Sequence, residues 1–350
     1  MNIAQKRALF IQRAKGISLP PTGRKPLAEA ILESEAKISD NDRFYVQELV
    51  GLAKLLHKGK ISRNDLVRFH DKVYALEKEL FGDDVEPKRY LLSYVLDTAN
   101  GTYFSDSDNF RVKYVKPIIC YRKNSGKSTG MRFIPIAYSS ADAVLEFEDN
   151  GKKTSFLFIG YVGVKEEFRG LGLGRLALEE VAAEAVNNGL KQNSLAILEI
   201  DLPLDDIGRS SLYCGERAKF RTLGIIMPDG EKRILRMQRP GMGETEELPP
   251  TPIILGIGKV GQLLLQKISP DQEIDLTTLK GIEMTIKGFY GMYDYWYSET
   301  QGRQISQLLA ETLESLKEIR KAVKRSTQVK LALLDIGHFK EINDLEKLTV

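Results

Sequence analysis

The stretch Val164–Glu180, VKEEFRGLGLGRLALEE, constrains this chain more than any other. An apolar run, TSFLFIGYVGV, leads into it and reads as a strand. Gly170, Gly172 and Gly174 alternate with Leu171 and Leu173, and Arg169 and Arg175 stand on either side. From about Leu173 to Asn187 the residues are spaced as in an amphipathic helix, and Asn188-Gly189 supplies its stop. A strand that feeds a glycine loop and then a helix N-terminus makes an anion site. The first N–H groups of a helix have no helical acceptor, and the helix dipole adds partial positive charge there. Glycine lets the backbone approach a phosphate closely and adopt positive φ. The physics specifies a phosphate or pyrophosphate and leaves its owner open.

Two familiar phosphate loops can be set against this stretch. A P-loop needs glycine five residues before Gly-Lys-Ser. At Gly126-Lys127-Ser128 that position is Tyr121, so the segment reads as a solvated turn. A dinucleotide fingerprint needs G-x-G-x-x-G/A in a tight turn directly after a strand. Gly172 to Ala177 fits the letters, but a charged connection separates Val164 from Gly172.

The first hundred residues read mostly as helix. DRFYVQELVGLAKLLHKGK places Phe44, Leu49, Leu52, Leu55 and Leu56 at helical spacing, and two further helices end at Gly-Asp-Asp and at Asn100-Gly101. Beyond them, FRVKYVKPIICYRK, MRFIPIAYSSADAVLEFE, LAILEIDLP, TLGIIMP and KRILRMQRP have strand texture, and GRSSLYCGERAKF reads as a short helix. Near-neutral charge, +3 over 350 residues, offers no basic face for nucleic acid. Two cysteines and three scattered histidines supply neither a disulfide framework nor a metal site of close spacing, and a reducing, cytoplasmic setting is expected. No apolar run is long enough for a membrane span. The basic N-terminus lacks the apolar core of a secretory signal and reads as an amphipathic helix.

Arg169-Gly170-Leu171-Gly172-Leu173-Gly174 resembles the R/Q-x-x-G-x-G/A signature of the GNAT N-acetyltransferases. The resemblance extends from about Ser62 to Pro240. YALEKELFGDD is similar to the family's opening helix, DIGRSSLYCGERAKF to its later LY segment, and ILRMQRP to its closing strand. The later segment departs from the pattern, with Asp206 where asparagine is usual and no glycine before Phe220. The resemblance implies an α/β fold with a mixed, mostly antiparallel sheet flanked by helices. It also implies acetyl-CoA as acyl donor. Its pyrophosphate would lie on the amides of Arg169, Gly170, Leu171, Gly172, Leu173, Gly174 and Arg175, and its pantetheine arm along the main chain of Val162, Gly163 and Val164. The expected division is a helical region 1–61, an acetyltransferase domain 62–240, a linker 241–252 and a mixed region 253–350.

Acetyl transfer to a primary amine needs the thioester held near the amine, a proton acceptor, and a proton donor for the departing thiolate. By resemblance Tyr213 is the donor. For the acceptor, Glu199 and Asp201 share one face of the strand LAILEIDLP, and a carboxylate on a central strand needs a reason to be there. Glu199 is the candidate; a base acting through water is the alternative. The expected acceptor is an amine-bearing small molecule or a peptide, with no metal and no nucleic acid. Cys214, beside Tyr213 with no histidine near in sequence, reads as a small buried residue.

Two features of the last hundred residues compete for attention. Gly256-Ile257-Gly258-Lys259-Val260-Gly261 is a literal G-x-G-x-x-G after an apolar run, but it lacks the alternating strands and helices of a dinucleotide domain. LALLDIGHFKEIND resembles the first half of a GGDEF (diguanylate cyclase) domain, which would make Asp335 a metal ligand and place Lys340 and Asn343 on nucleotide. Gly337 replaces the second aspartate and no GGDEF signature follows, so a remnant or interaction region is expected. The helix RQISQLLAETLESLKEIRKAVKRS carries Ile305, Leu309, Leu313, Leu316, Ile319 and Val323 on one side, a face that could pair with a second copy. The alternative to an enzyme is a non-catalytic acyl-CoA-binding or signalling module with a degenerate tail.

Overall fold

The structure, a computed structural model, describes residues 35–37, 43–82, 85, 88–104, 107–123, 132–202, 219–242, 246–264 and 272–335. They form a mixed α/β fold whose strands pair mostly antiparallel. The chain divides into two compact units. One comprises Met1–Ser105, Val112–Ala143 and Gly160–Asn188; the other comprises Asp106–Arg111, Val144–Ile159 and Gly189–Val350.

In the first unit, β1 (Glu35–Lys37) pairs antiparallel with β2 (Arg43–Glu48), and α1 (Leu49–His57) follows directly. The sequence expectation of helix through this stretch is thus half right. Residues 43–48 are extended because their ladder with β4 (Pro117–Lys123), from Phe44↔Tyr121 to Glu48↔Pro117, outweighs helical spacing. Glu48 ends the strand and starts the helix, its carboxylate accepting from the Gly51 N–H. Its second oxygen accepts from the Lys116 N–H at 3.0 Å, and the Lys116 carbonyl accepts from Leu49 N–H at 3.0 Å. This corner splits the run FRVKYVKPIICYRK into β3 (Phe110–Val115) and β4.

The helix α2 (Arg63–Phe81) has the ends its sequence demands. Ser62 Oγ accepts from Asp65 N–H at 3.1 Å, and Gly82 takes positive φ (58°) past the last turn. It buries Leu66, Phe69, His70, Val73, Leu76 and Glu77, a stripe with two polar members. The helix α3 (Lys88–Asn100) packs on α1. Two long strands, β5 (Arg132–Asp149) and β6 (Lys152–Val164), contribute residues to both units and are joined at Asn150-Gly151, both with positive φ (51° and 75°). Asn-Gly is the pair that accepts that conformation at least cost in a hairpin. Beyond β6 comes α4 (Leu173–Asn187), with the bounds expected from sequence. Leu173, Leu176 and Ala177 of α4 pack on Ile119, Ile136 and Ala137 as one buried cluster. Each fully buried leucine there is worth about 1.5–3 kcal/mol.

In the second unit β6 runs parallel to β7 (Leu195–Asp201) over the four pairs Phe156↔Leu195 to Ile159↔Leu198. Antiparallel pairs continue the sheet to β11 (Thr251–Lys259), β8 (Arg221–Ile226), β13 (Lys330–Asp335) and β12 (Gln272–Glu273). Two short strands complete it, β9 (Lys232–Ile234) on β8 and β10 (Met237–Arg239) on β11. The segment expected as a linker therefore ends inside a strand, since Thr251 and Pro252 already belong to β11. The final helix α5 (Leu276–Arg325) begins well before Arg303 and is broken at Tyr297 (φ −128°, ψ 15°). Gly288 and Gly291 let it lie close to Phe156, Phe147 and Phe110. Among the described residues no helix is long and apolar enough to cross a membrane.

Candidate functional site

The end of β6 and the start of α4 build the site in the first unit. After Val164, the Lys165 N–H donates to the Ile136 carbonyl (2.8 Å) and ends the strand. Glu166–Phe168 make one 3-10 turn. Arg169 then folds back, its backbone N–H on Glu166 O (3.0 Å) and its side-chain Nε on Val164 O (3.3 Å). That contact ties the exposed Arg169 side chain back to the end of β6.

The alternation of Leu and Gly sorts the loop into two faces. Leu171 and Leu173 join the cluster with Phe168 and Ile119, while the glycines stand outside it. Gly170 (φ 79°) and Gly172 (φ 88°, ψ 9°) occupy the left-handed region, where a side chain costs about 1–2 kcal/mol. Gly172 is also the N-cap of α4. It brings no side-chain acceptor, and the first helical bond is Leu176 N–H to Gly172 O at 3.1 Å. The N–H groups of Leu173, Gly174 and Arg175 are left without helical acceptors. At Gly174 the nearest atom to an added Cβ is Val164 Cγ2 at 3.4 Å, an ordinary contact, so packing does not demand glycine there. Arg175 is exposed and pairs with the buried Glu179 at 2.9 Å, which keeps its cation at the helix start.

On the other face of β6, Gly163 lies under the end of α2. A Cβ there would stand 2.5 Å from Leu80 Cδ1 and 3.0 Å from Phe81 Cε2. Val162 and Val164 point the opposite way, by the pleat of the strand. Beneath α2 lies a polar layer that the sequence reading missed. Lys116 Nζ and Glu77 Oε1 form a fully buried ion pair at 2.5 Å, with the ammonium 5.5 Å from the centre of the Tyr138 ring. Burial first, then the Glu77 charge, pushes the Tyr138 hydroxyl well above its ordinary range. His70 is also fully buried, and its two ring nitrogens have no hydrogen-bond partner among the described residues. The signal was legible: His70 and Glu77 are seven apart on an otherwise apolar helical stripe.

Glu199 lies in the second unit. Its two carboxylate oxygens accept from Tyr293 Oη (2.7 Å) and Arg239 Nη1 (3.2 Å), and Arg239 also reaches Asp201 Oδ1 at 3.6 Å. Burial raises the Glu199 pKa, while Arg239 and the Tyr293 hydrogen bond pull it down. Neither partner was named from sequence, because each is more than thirty residues distant. Tyr213 and Cys214 lie outside the described residues, as do Gly337, Lys340 and Asn343; Asp335 ends β13. Gly256 and Gly258 stand on β11 against Phe220, whose ring would be 3.3 and 2.5 Å from an added Cβ. Their glycines answer to packing. No group of three His, Cys, Asp or Glu among the described residues could hold a metal ion.

Residues 121–203 match the model of the Acetyltransferase (GNAT) family, a stretch from β4 to just past β7 that contains the β6–loop–α4 segment. No curated protein matches the sequence. Among solved structures the chain is similar to NAA60 of Arabidopsis thaliana in complex with a bisubstrate analogue (13% identity, 54% of this chain and 91% of that one, TM-score 0.33). It is also similar to the ribosomal-protein-S18-alanine N-acetyltransferase of Escherichia coli (11%, 62% and 94%, 0.30) and to the IAA acetyltransferase of Bacillus cereus (14%, 53% and 91%, 0.27). The tail's likeness to a diguanylate cyclase has no counterpart in these comparisons.

Proposed function

We propose that the protein is an N-acetyltransferase that binds acetyl-CoA on the Arg169–Arg175 loop and passes its acetyl group to a primary amine in a ternary complex. The observation that carries this reading is the start of α4. The N–H groups of Leu173, Gly174 and Arg175 have no helical acceptors behind a glycine N-cap, and Arg169 and Arg175 are exposed beside them. A diphosphate satisfies such donors and gains from the helix dipole. In this reading the pantetheine arm lies along the main chain of Val162, Gly163 and Val164.

The amine attacks the thioester carbonyl, the C–S bond breaks, and the amine's surplus proton passes to a base while the thiolate takes one from an acid. Glu199 is the proposed base. A carboxylate that accepts two hydrogen bonds keeps lone pairs free for a proton, and burial raises its pKa above the ordinary carboxylate value, against the pull of Arg239 and the Tyr293 hydrogen bond. Tyr213 is the proposed acid, carried by family resemblance alone. The acceptor is an amine-bearing small molecule or peptide.

Calorimetry with CoA and acetyl-CoA tests the binding half; thiol release from acetyl-CoA with a panel of peptides, polyamines and aminoglycosides tests the transfer half. Saturable heat with both ligands and amine-dependent thiol release are expected. Absence of heat overturns the reading. Heat without thiol release from any amine leaves a binding module.

A further inference from the structure

We infer that the polar layer under α2 is a binding site for internal water, with one molecule at the His70 ring and another at the Glu77–Lys116 pair. The inference stands apart from the coenzyme reading. The layer lies between α2 and the sheet of the first unit. His70 and Glu77 share the buried stripe of α2, Lys116 stands at the corner before β4, and Tyr138 belongs to β5. Gln47 of β2 and Tyr138 are both in register with Ile118, so their side chains leave the sheet on one face. All five of these polar side chains are at most 1% exposed.

Their hydrogen bonds are incomplete. Both ring nitrogens of His70, Glu77 Oε2 and Gln47 Oε1 have no hydrogen-bond partner among the described residues. Lys116 carries three N–H donors, and its one ion-pair partner is Glu77 Oε1. Buried polar groups in folded proteins nearly always have a partner, in the protein or in ordered water. The partners called for here are of both kinds. A neutral imidazole needs one donor and one acceptor, Glu77 and Gln47 need donors, and Lys116 needs acceptors. An added anion would face the Glu77 carboxylate, and an added cation the Lys116 ammonium. Water donates, accepts and carries no charge. One molecule cannot serve the whole layer. The seven residues from His70 to Glu77 rise by about 10 Å along the helix, whereas a water that bridges two groups spans about 6 Å. Two separate positions follow.

A high-resolution crystal structure of the full chain tests this directly. Density for one water is expected within about 3.2 Å of a His70 ring nitrogen, and for a second within that distance of Glu77 Oε2 or Lys116 Nζ. In solution, oxygen-17 relaxation dispersion counts waters held longer than the protein takes to tumble. His70→Leu should lose one such water relative to the wild type, and Glu77→Leu/Lys116→Met another. Should either variant fail to fold, the wild-type crystal structure decides. A layer in which protein groups turn to meet every one of these atoms, with no density between them, overturns the inference. Water at only one of the two places also overturns it, because the other group would then have found its partner in the protein. An unchanged water count in both folded variants does the same.

Discussion

Replacing His70 by leucine should unmask a pH dependence of stability between pH 5 and 7 that His70 and Glu48 together nearly cancel. His70 is fully buried, and burial, helped by the charges of Lys116 and Lys88 against the pull of Asp71, pushes its imidazole down to about 3 from an ordinary 6.5. Below pH 6.5 the unfolded chain therefore takes up a proton that the folded chain refuses. Stability is lost as pH falls through that window, at about 1.4 kcal/mol per unit, which makes about 2 kcal/mol between pH 7 and 5. Glu48 works in the opposite sense. Burial and the Glu184 charge push its carboxyl up to about 7 from an ordinary 4.5. The folded chain then holds a proton that the unfolded chain releases, and this contribution is present at pH 5 and declines by about 2 kcal/mol as pH rises to 7. Between pH 5 and 7 the two nearly cancel. Without His70 only the Glu48 contribution remains, so the variant should gain on the wild type by about 2 kcal/mol more at pH 5 than at pH 7. Urea unfolding followed by circular dichroism at pH 5, 6 and 7 measures the difference, in which all other groups drop out. Carbon-13 NMR of the three imidazoles gives an independent reading: the resonance lost in the variant should be flat from pH 5 to 8. A His70 resonance that titrates near 6.5, together with a stability difference that ignores pH, would refute the reasoning.

Other expectations separate packing from binding. Gly172→Ala should destabilise the protein by about 1 kcal/mol, because φ is 88° there, and should weaken CoA binding in calorimetry. Gly174→Ala should leave urea unfolding unchanged within about 0.5 kcal/mol, since its Cβ makes an ordinary contact with Val164. If it nonetheless weakens CoA binding, the loss reports close approach of the ligand. Glu77→Gln should cost about 3–5 kcal/mol in urea unfolding by leaving the Lys116 ammonium unpaired in the core. The double variant Glu77→Leu/Lys116→Met should recover most of that loss, and a single-variant cost below about 1 kcal/mol would mean the pair is solvated. Gly258→Ala should cost about 1–3 kcal/mol by driving a methyl against the Phe220 ring, with no effect on CoA affinity.

What could be read in the sequence, and what could not, follows the range of the forces involved. The bounds of α2 and α4 are local properties: Ser62 and Gly82 cap one, and the glycine loop and Asn188 bracket the other. The extended state of residues 43–48 is not local. It depends on pairing with β4 some seventy residues away, and the apolar spacing of Phe44 and Leu49 says nothing of that. The first half of α5 was hidden for a related reason. Gly281, Gly288 and Gly291 weaken helical propensity, but Gly288 and Gly291 are needed where the helix meets aromatic rings from β3 and β5 and from β6. In the candidate site, the loop was legible because one segment supplies all its donors. The partners of Glu199 come from β10 and α5, and those of Glu77 from the β3–β4 corner and β5, so only the folded chain brings them together.

The chain also holds one pattern twice with different physical meanings. Gly172-Leu173-Gly174 and Gly256-Ile257-Gly258 are both G-x-G with an apolar centre, near a helical turn. At the second, Phe220 lies over both glycines, the backbone is a paired strand, and the missing side chains are accounted for by a ring 1% exposed. At the first, one glycine is left-handed, and the next meets only Val164 at ordinary contact distance. The N–H groups beyond them lack helical acceptors. Glycine spacing is the same in both places, so the difference lies in the backbone: β11 is a paired strand, whereas the loop before α4 leads into helix-start N–H groups without helical acceptors, the donors to which the proposed anion site is assigned.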